Sequence, residues 1–311
     1  KLTSLGLSGV TSNPTIFHSA IEGGVGYDSD IELFSKQGKS AIEIYEMLVV
    51  QDIAKAADIL RPIYDSTDGA DGFVSIEVNP QLSDDTAATI NEAKRLFARI
   101  NKSNVLIKVP ATAPGIPAIR ALIGEGINVN VTLIFSRYVY REVALAYLDG
   151  LQDYFDANNS DLSKIASVAS FFVSRVDTSV DSQLPEGSLA RGKCGVANAR
   201  VAHADFLDIF SSDKYKSLAV FGAKFQRQLW GSTSVKNPAY PDLLYLNELM
   251  GPDTINTVPP DTLDAFLDHG NPSPRLVPGI DQAHKDMKKL TEAGIEMGEV
   301  TDELLSAGLK A

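Results

Sequence analysis

The chain divides into short apolar runs separated by longer stretches in which apolar residues recur every three or four positions. Residues 7–12, 72–78, 104–109, 127–134, 165–172, 227–231 and 255–258 form the short runs and predict strands. Residues 41–64 give the clearest helical pattern. There Ile42, Tyr45, Leu48, Val49, Ile53, Ala56, Ile59 and Leu60 make one predicted face, and Ser40 with Glu43 forms a capping box at the start. Residues 85–100, 116–124, 137–155, 196–210, 261–267 and 284–293 read as helices by the same spacing. Strand and helix in alternation, joined by short connections, predict a parallel sheet with right-handed crossovers.

This alternation predicts an α/β protein, a (β/α)8 TIM barrel forming a single domain over residues 1–311. Only seven strands are legible and the first lies almost at the start. The expectation is therefore that the first barrel strand precedes Lys1 and that the chain is trimmed at both ends. Residues 157–161 and 181–192 read as loops within the domain. No internal repeat or low-complexity tract is present.

One strand breaks the apolar pattern. In Asn104-Val105-Leu106-Ile107-Lys108-Val109-Pro110 a lysine is written into an aliphatic run. Burying an ammonium is costly and favours the neutral amine, which attacks carbonyls to form Schiff bases. A single lysine at a strand end can instead snorkel to water, so the other strands decide. Alternate residues share a face. Glu77 is in phase with Ser75, Lys108 with Leu106, Asn130 with Thr132 opposite Val129, Val131 and Leu133, and Ser170 with Phe172. Asn13 directly follows the first run, and Ser234 and Lys236 follow the sixth. Isolated structural polar residues would account for one or two of these. A polar ring at one end of a barrel predicts a site, and barrel sites lie at the C-terminal ends of the strands.

Residue types then set the chemistry. Lys108 supplies an amine nucleophile, and Glu77 on the neighbouring strand can act as general acid or base through a water. Asn13, Asn130, Thr132 and Ser170 can hold hydroxyl groups or that water. His18, His203, His269 and His284 are scattered without ligand spacing, so they read as surface or packing residues and no metal is expected. No cofactor is called for. Gly38-Lys39-Ser40 ends like a phosphate-binding loop, but Leu33 stands where that pattern needs glycine, so it reads as a helix start. Gly23-Gly24-Val25-Gly26 reads as a turn.

Composition narrows the partners. Apolar residues make up 44% and charged residues 22% of the chain, enough for a substantial core. A net charge of −12 argues against nucleic acid or an acidic membrane surface as partner, so an anionic substrate would need a few placed cations. No apolar run approaches the ~20 residues of a membrane span. The single cysteine, Cys194, rules out an intramolecular disulfide and fits a reducing compartment. The expected location is the cytoplasm, or a plastid were the source a plant.

Several segments together resemble the transaldolases, in particular the branch of plants and many bacteria. They are Gly9-Val10-Thr11-Ser12-Asn13-Pro14-Thr15-Ile16-Phe17, Val74-Ser75-Ile76-Glu77-Val78, Leu106-Ile107-Lys108-Val109-Pro110-Ala111-Thr112, and residues 126–136, 167–177 and 229–242. The resemblance implies a Schiff-base enzyme of the pentose phosphate pathway on a (β/α)8 barrel. It would move a dihydroxyacetone unit from fructose 6-phosphate or sedoheptulose 7-phosphate to an aldose phosphate. By that similarity Lys108 forms the imine, and Glu77 works through a water that Thr132 also holds. Asn13 and Asn130 bind substrate hydroxyls, Ser170 the dihydroxyacetone end, and Phe172 shapes the pocket. Arg175 and Ser234 would bind phosphate with Lys236 beside them, although lysine stands where many transaldolases have arginine. An ion pair with Asp177 is the alternative role for Arg175. The family also carries a catalytic aspartate on its first strand and a final helix across the barrel mouth, both expected outside residues 1–311. Other readings are a class I aldolase that releases free dihydroxyacetone and a non-catalytic sugar-phosphate-binding barrel. The expected assembly is a monomer or homodimer.

Overall fold

The computed structural model describes residues 2–24, 26–158 and 161–311. Seven parallel strands lie in sequence order in one curled sheet. They are β1 (Gly9–Thr11), β2 (Phe73–Glu77), β3 (Val105–Pro110), β4 (Val129–Ile134), β5 (Ser167–Phe172), β6 (Arg227–Gly231) and β7 (Thr254–Asn256). The helices are α1 (Pro14–Glu22), α2 (Asp28–Lys36), α3 (Ala41–Ser66), α4 (Thr86–Ile100), α5 (Gly115–Gly124), α6 (Arg137–Asn158), α7 (Ser174–Gln183), α8 (Cys194–Ile209), α9 (Asp213–Ala219), α10 (Leu244–Glu248), α11 (Pro260–His269), α12 (Ile280–Glu292) and α13 (Met297–Lys310). This is the α/β architecture of a (β/α)8 barrel with seven strands in place. Between β1 and β7 a cleft of about 570 Å³ opens toward the interior, reaching Ser75, Leu106, Val168 and Leu229. At its upper end the Thr11 and Thr257 hydroxyls meet at 3.1 Å.

Strand alternation sorts the core into layers, as the pleat requires. Val74, Ile76, Val105, Ile107, Val109, Val129, Val131, Ala169, Phe171 and Trp230 face outward into the largest cluster, where the surrounding helices cover them. Phe73, Leu106, Val168 and Leu229 face inward and fill the barrel floor with Tyr64. No described helix is long and apolar enough to cross a membrane.

The capping box at Ser40 and Glu43 starts α3, with both reciprocal bonds formed. The glycine-lysine-serine lookalike is thus the entry to a helix. The buried face of α3 is displaced from the expected one. Ile44, Leu48, Val49, Ile53, Ala57, Leu60 and Tyr64 are buried, whereas Ile42 and Ile59 are exposed at 76% and 67%. Periodicity located the helix, but tertiary contacts chose which flank meets the sheet. Residues 181–183 belong to α7 and not to the following loop. Of the expected loop at 157–161, residues 159 and 160 lie outside the described residues, as does Val25 of the glycine-rich turn; its neighbours Gly24 and Gly26 have φ of 70° and 95°. Among the described residues six further helices lie outside the predicted set: α1, α2, α7, α9, α10 and α13.

A second difference lies in β4. The register with β5 shifts between Val131 and Ile134, and Leu133 has φ of 58°. Leu133 therefore leaves the face of Val129 and Val131 and joins Phe135, Phe172 and Leu290 in a cluster with α13. Ile134 takes the outward place. A bulge adds one residue to a strand and re-aims the next side chain; no hydrophobic pattern marks it. Gly308 of α13 sits directly on Leu133, and a Cβ there would lie 2.9 Å from Leu133 Cδ2.

Candidate active site

Register brings the central groups together. Glu77 pairs with Lys108 across β2 and β3, and Lys108 pairs with Asn130 across β3 and β4. The three side chains therefore stand at one level, above the apolar floor and inside the barrel. Lys108 is 7% exposed. Its Nζ donates to Glu77 Oε2 at 3.0 Å and to the Ser12 carbonyl at 2.9 Å. Lysine and glutamate thus touch directly, because parallel register sets the two strands side by side.

A hydrogen-bond chain runs beside this pair. The Ser170 hydroxyl donates to Asn130 Oδ1 at 2.7 Å, and Asn130 Nδ2 donates to the Ser75 hydroxyl at 3.0 Å. All three residues are buried. The Ser12 hydroxyl donates to the Ser75 carbonyl at 2.7 Å, which fixes the segment that presents its own carbonyl to Lys108. Thr132 is buried two residues beyond Asn130 and pairs with Pro110. Asn13, half-buried, caps α1 by accepting from the Ile16 N–H at 2.8 Å.

The cationic group is built differently. Arg175, exposed in the first turn of α7, places its guanidinium carbon 5.5 Å from the centre of the Phe172 ring. Phe172 in turn meets Phe135 edge to face at 5.3 Å. The ion pair of Arg175 with Asp177 does not form. Asp177 Oδ1 accepts from the buried Gly195 N–H at 2.8 Å, at the start of α8. Burial raises the Asp177 carboxyl to about 6, opposed by that backbone donor and by the Tyr245 hydroxyl. Lys236 Nζ donates to Ser234 Oγ at 2.8 Å. The start of α7 and the loop after β6 are stitched together. Ser174 N–H donates to the Ser232 carbonyl at 2.9 Å, and their hydroxyls meet at 2.8 Å.

The family model for transaldolase and fructose-6-phosphate aldolase matches residues 1–311. The chain belongs to this family. Among its relatives, a transaldolase of Trichodesmium erythraeum (strain IMS101) is 45% identical over 319 aligned positions, covering 98% of this chain and 84% of that protein. Transaldolase 2 of Streptomyces avermitilis is 47% identical over 307 positions, covering 97% and 82%. A transaldolase of Thermobifida fusca (strain YX) is 47% identical, also over 307 positions, covering 97% and 83%.

Membership of the transaldolase family makes the buried lysine the centre of interest, and two contributors to its setting were not among the predicted site residues. Ser12 acts through its main chain, which no side-chain pattern reveals. Ser75 carried a signal, being in phase with Glu77 on the same strand. The histidines lie apart from this layer. His203 is buried, stacks on Phe206 at 5.3 Å and bonds Gln228 at 2.7 Å; His18 and His269 are exposed. Among the described residues no three His, Cys, Asp or Glu side chains are grouped to hold a metal ion.

Proposed function

We propose that this chain is a transaldolase acting through a Schiff base on Lys108. The carrying observation is the buried contact between Lys108 Nζ and Glu77 at 3.0 Å, inside a barrel of this family. A lysine amine in hydrogen-bond reach of a carboxylate can pass it a proton and so become the nucleophile. Attack on the C2 carbonyl of a ketose phosphate gives a carbinolamine. Loss of its hydroxyl as water, protonated by Glu77, gives the iminium. The C3–C4 bond then breaks as the C4 hydroxyl gives its proton to a carboxylate, the role the resemblance gives to the family's first-strand aspartate; an aldose phosphate departs, and the electron pair remains as an enamine on Lys108. Attack of that enamine on a second aldose phosphate and hydrolysis of the new iminium complete the transfer.

Fructose 6-phosphate or sedoheptulose 7-phosphate fits as donor, and glyceraldehyde 3-phosphate or erythrose 4-phosphate as acceptor. The Ser170–Asn130–Ser75 chain offers donors and acceptors to the dihydroxyacetone end, with Thr132 and Asn13 at the hydroxyl-bearing carbons and Phe172 as a wall. Arg175, Ser234 and Lys236 offer cationic and hydroxyl donors to phosphate. The names of the relatives favour transfer over release of free dihydroxyacetone.

The test is borohydride reduction in the presence of fructose 6-phosphate. Substrate-derived mass should appear on the peptide containing Lys108, and addition of erythrose 4-phosphate before borohydride should yield sedoheptulose 7-phosphate. Label on a different lysine, together with an active Lys108→Ala variant, would overturn the mechanism. Free dihydroxyacetone as the sole product would overturn the transfer.

A further inference from the structure

The loop after β6 carries Ser234 and Lys236, and it is fastened to α7 at two points. The first is Ser232, bonded to Ser174 through main chain and hydroxyl. The second is Tyr240. Its hydroxyl donates to Asp181 Oδ2 at 2.6 Å, and Asp181 is buried two turns along α7 from Ser174. The other Asp181 oxygen accepts from the Gly192 N–H at 2.9 Å. The Tyr240 ring lies flat against Gly192, where an added Cβ would fall 2.7 Å from the ring; Gly192 also has φ of 68°. The Tyr240 N–H closes a turn on the Asn237 carbonyl at 3.0 Å, one residue beyond Lys236.

Helix α7 thus acts as a rigid spacer. Arg175 is in its first turn, Ser174 holds the start of the loop and Asp181 the end, and Ser234 and Lys236 lie between. We infer that Tyr240, through its hydrogen bond to Asp181 and its seat on Gly192, is the positioning residue that holds Ser234 and Lys236 opposite Arg175 for a phosphorylated substrate. Tyr240 touches no reacting atom. Without the tie the loop keeps its bonds from Ser232 to Ser174 and from the Thr233 hydroxyl to Asn256 and Thr257, but the stretch from Ser234 to Tyr240 beyond them loses its far anchor on α7, and its cation and hydroxyl sample positions away from the guanidinium. The inference rests on the reading of Arg175, Ser234 and Lys236 as the phosphate group's ligands.

Three single variants, Tyr240→Phe, Gly192→Ala and Arg175→Ala, and the double variant of the first two test it. For each, KM and kcat are measured with fructose 6-phosphate, and imine trapping with unphosphorylated fructose. Tyr240→Phe keeps the ring on Gly192 and removes only the hydrogen bond. It should raise KM for fructose 6-phosphate roughly five- to tenfold, the effect of losing one ordinary intramolecular hydrogen bond, with kcat and fructose trapping unchanged. Gly192→Ala displaces the ring and should give at least the same selective rise. The two changes combined should not multiply, because both break one tie. If Arg175→Ala selectively weakens fructose 6-phosphate while Tyr240→Phe leaves KM unchanged or weakens both donors equally, the positioning role is overturned and the phosphate reading stands. If Arg175→Ala itself fails to distinguish the donors, the phosphate reading falls and the role of Tyr240 with it.

Discussion

The lysine layer and the cationic group sit at the same mouth of the barrel, yet they are built on opposite principles. Glu77, Lys108, Asn130 and Ser170 stand on four adjacent strands; ladder register sets Glu77 beside Lys108 and Lys108 beside Asn130, while Ser170, two residues past Val168 opposite Asn130, reaches back to the Asn130 amide. Lys108 and Glu77 side chains are 8% and 12% exposed. Arg175 and Lys236 are exposed and stand on a helix start and a loop. Reacting groups gain from fixed geometry and excluded water, since a small misplacement costs rate. Groups that recognise an incoming anion must keep donors open until it arrives. Two residues of strained backbone mark the seam, Leu133 with φ of 58° and Ser232 with φ of 53°. Leu133 lies near the end of β4 and Ser232 directly follows β6, both at the mouth, where strain is commonly kept to aim functional side chains.

Changing the inner layer should have the largest effect. Glu77→Gln keeps the shape but cannot take the lysine proton, so borohydride trapping of fructose 6-phosphate should slow by about 10²–10⁴-fold. Trapping at the wild-type rate would make Glu77 a structural partner of Lys108 and blur the distinction between the two regions.

An intermediate effect is expected from the outer group. Arg175→Ala should raise KM for fructose 6-phosphate by about ten- to a hundredfold, corresponding to about 1.5–3 kcal/mol for a charge-assisted bond. Trapping with unphosphorylated fructose should change little, because Arg175 takes no part in the ladder. An equal loss with both donors would place Arg175 in the chemistry.

A third effect falls on stability and not on activity, and concerns Asp177, two residues after Arg175. Burial raises Asp177 from 3.8 to about 6 in the folded protein. A carboxyl that binds its proton more tightly when folded contributes stability that is present below about pH 4 and lost as pH rises through about 6. On the order of 3 kcal/mol is involved, at 1.36 kcal/mol per pH unit of displacement. Asp177→Asn removes this loss. The unfolding free energy of the variant relative to wild type should therefore rise between pH 4 and pH 7, measured in urea, with trapping on Lys108 intact. A difference independent of pH would show that Asp177 is not the titrating group.

Much of the inner layer is legible in the linear chain. A charged residue in an aliphatic run and polar residues in phase on neighbouring strands are local signals, and parallel pairing turns phase into proximity. Less of the outer group can be read. Arg175, Ser234 and Lys236 follow strands without a pattern of their own, and only likeness to the transaldolases drew attention to Arg175. Tyr240, Gly192 and Asp181 give no signal, since they meet through loops whose spacing in sequence says nothing about distance.

The sequence by itself determined the alternation of strand and helix, the capping box at Ser40, the inward set of polar residues and the lysine at their centre. Period and residue type carry that information, because a strand has only two faces and burial selects one. Tertiary structure decided the rest. It turned α3 so that Ile44 and Ala57 are buried while Ile42 and Ile59 are not, put the bulge at Leu133, closed the direct Lys108–Glu77 contact, and directed Asp177 to Gly195 and not to Arg175. Each of these depends on which surface a neighbouring segment presents, and a linear pattern does not contain its neighbour's shape.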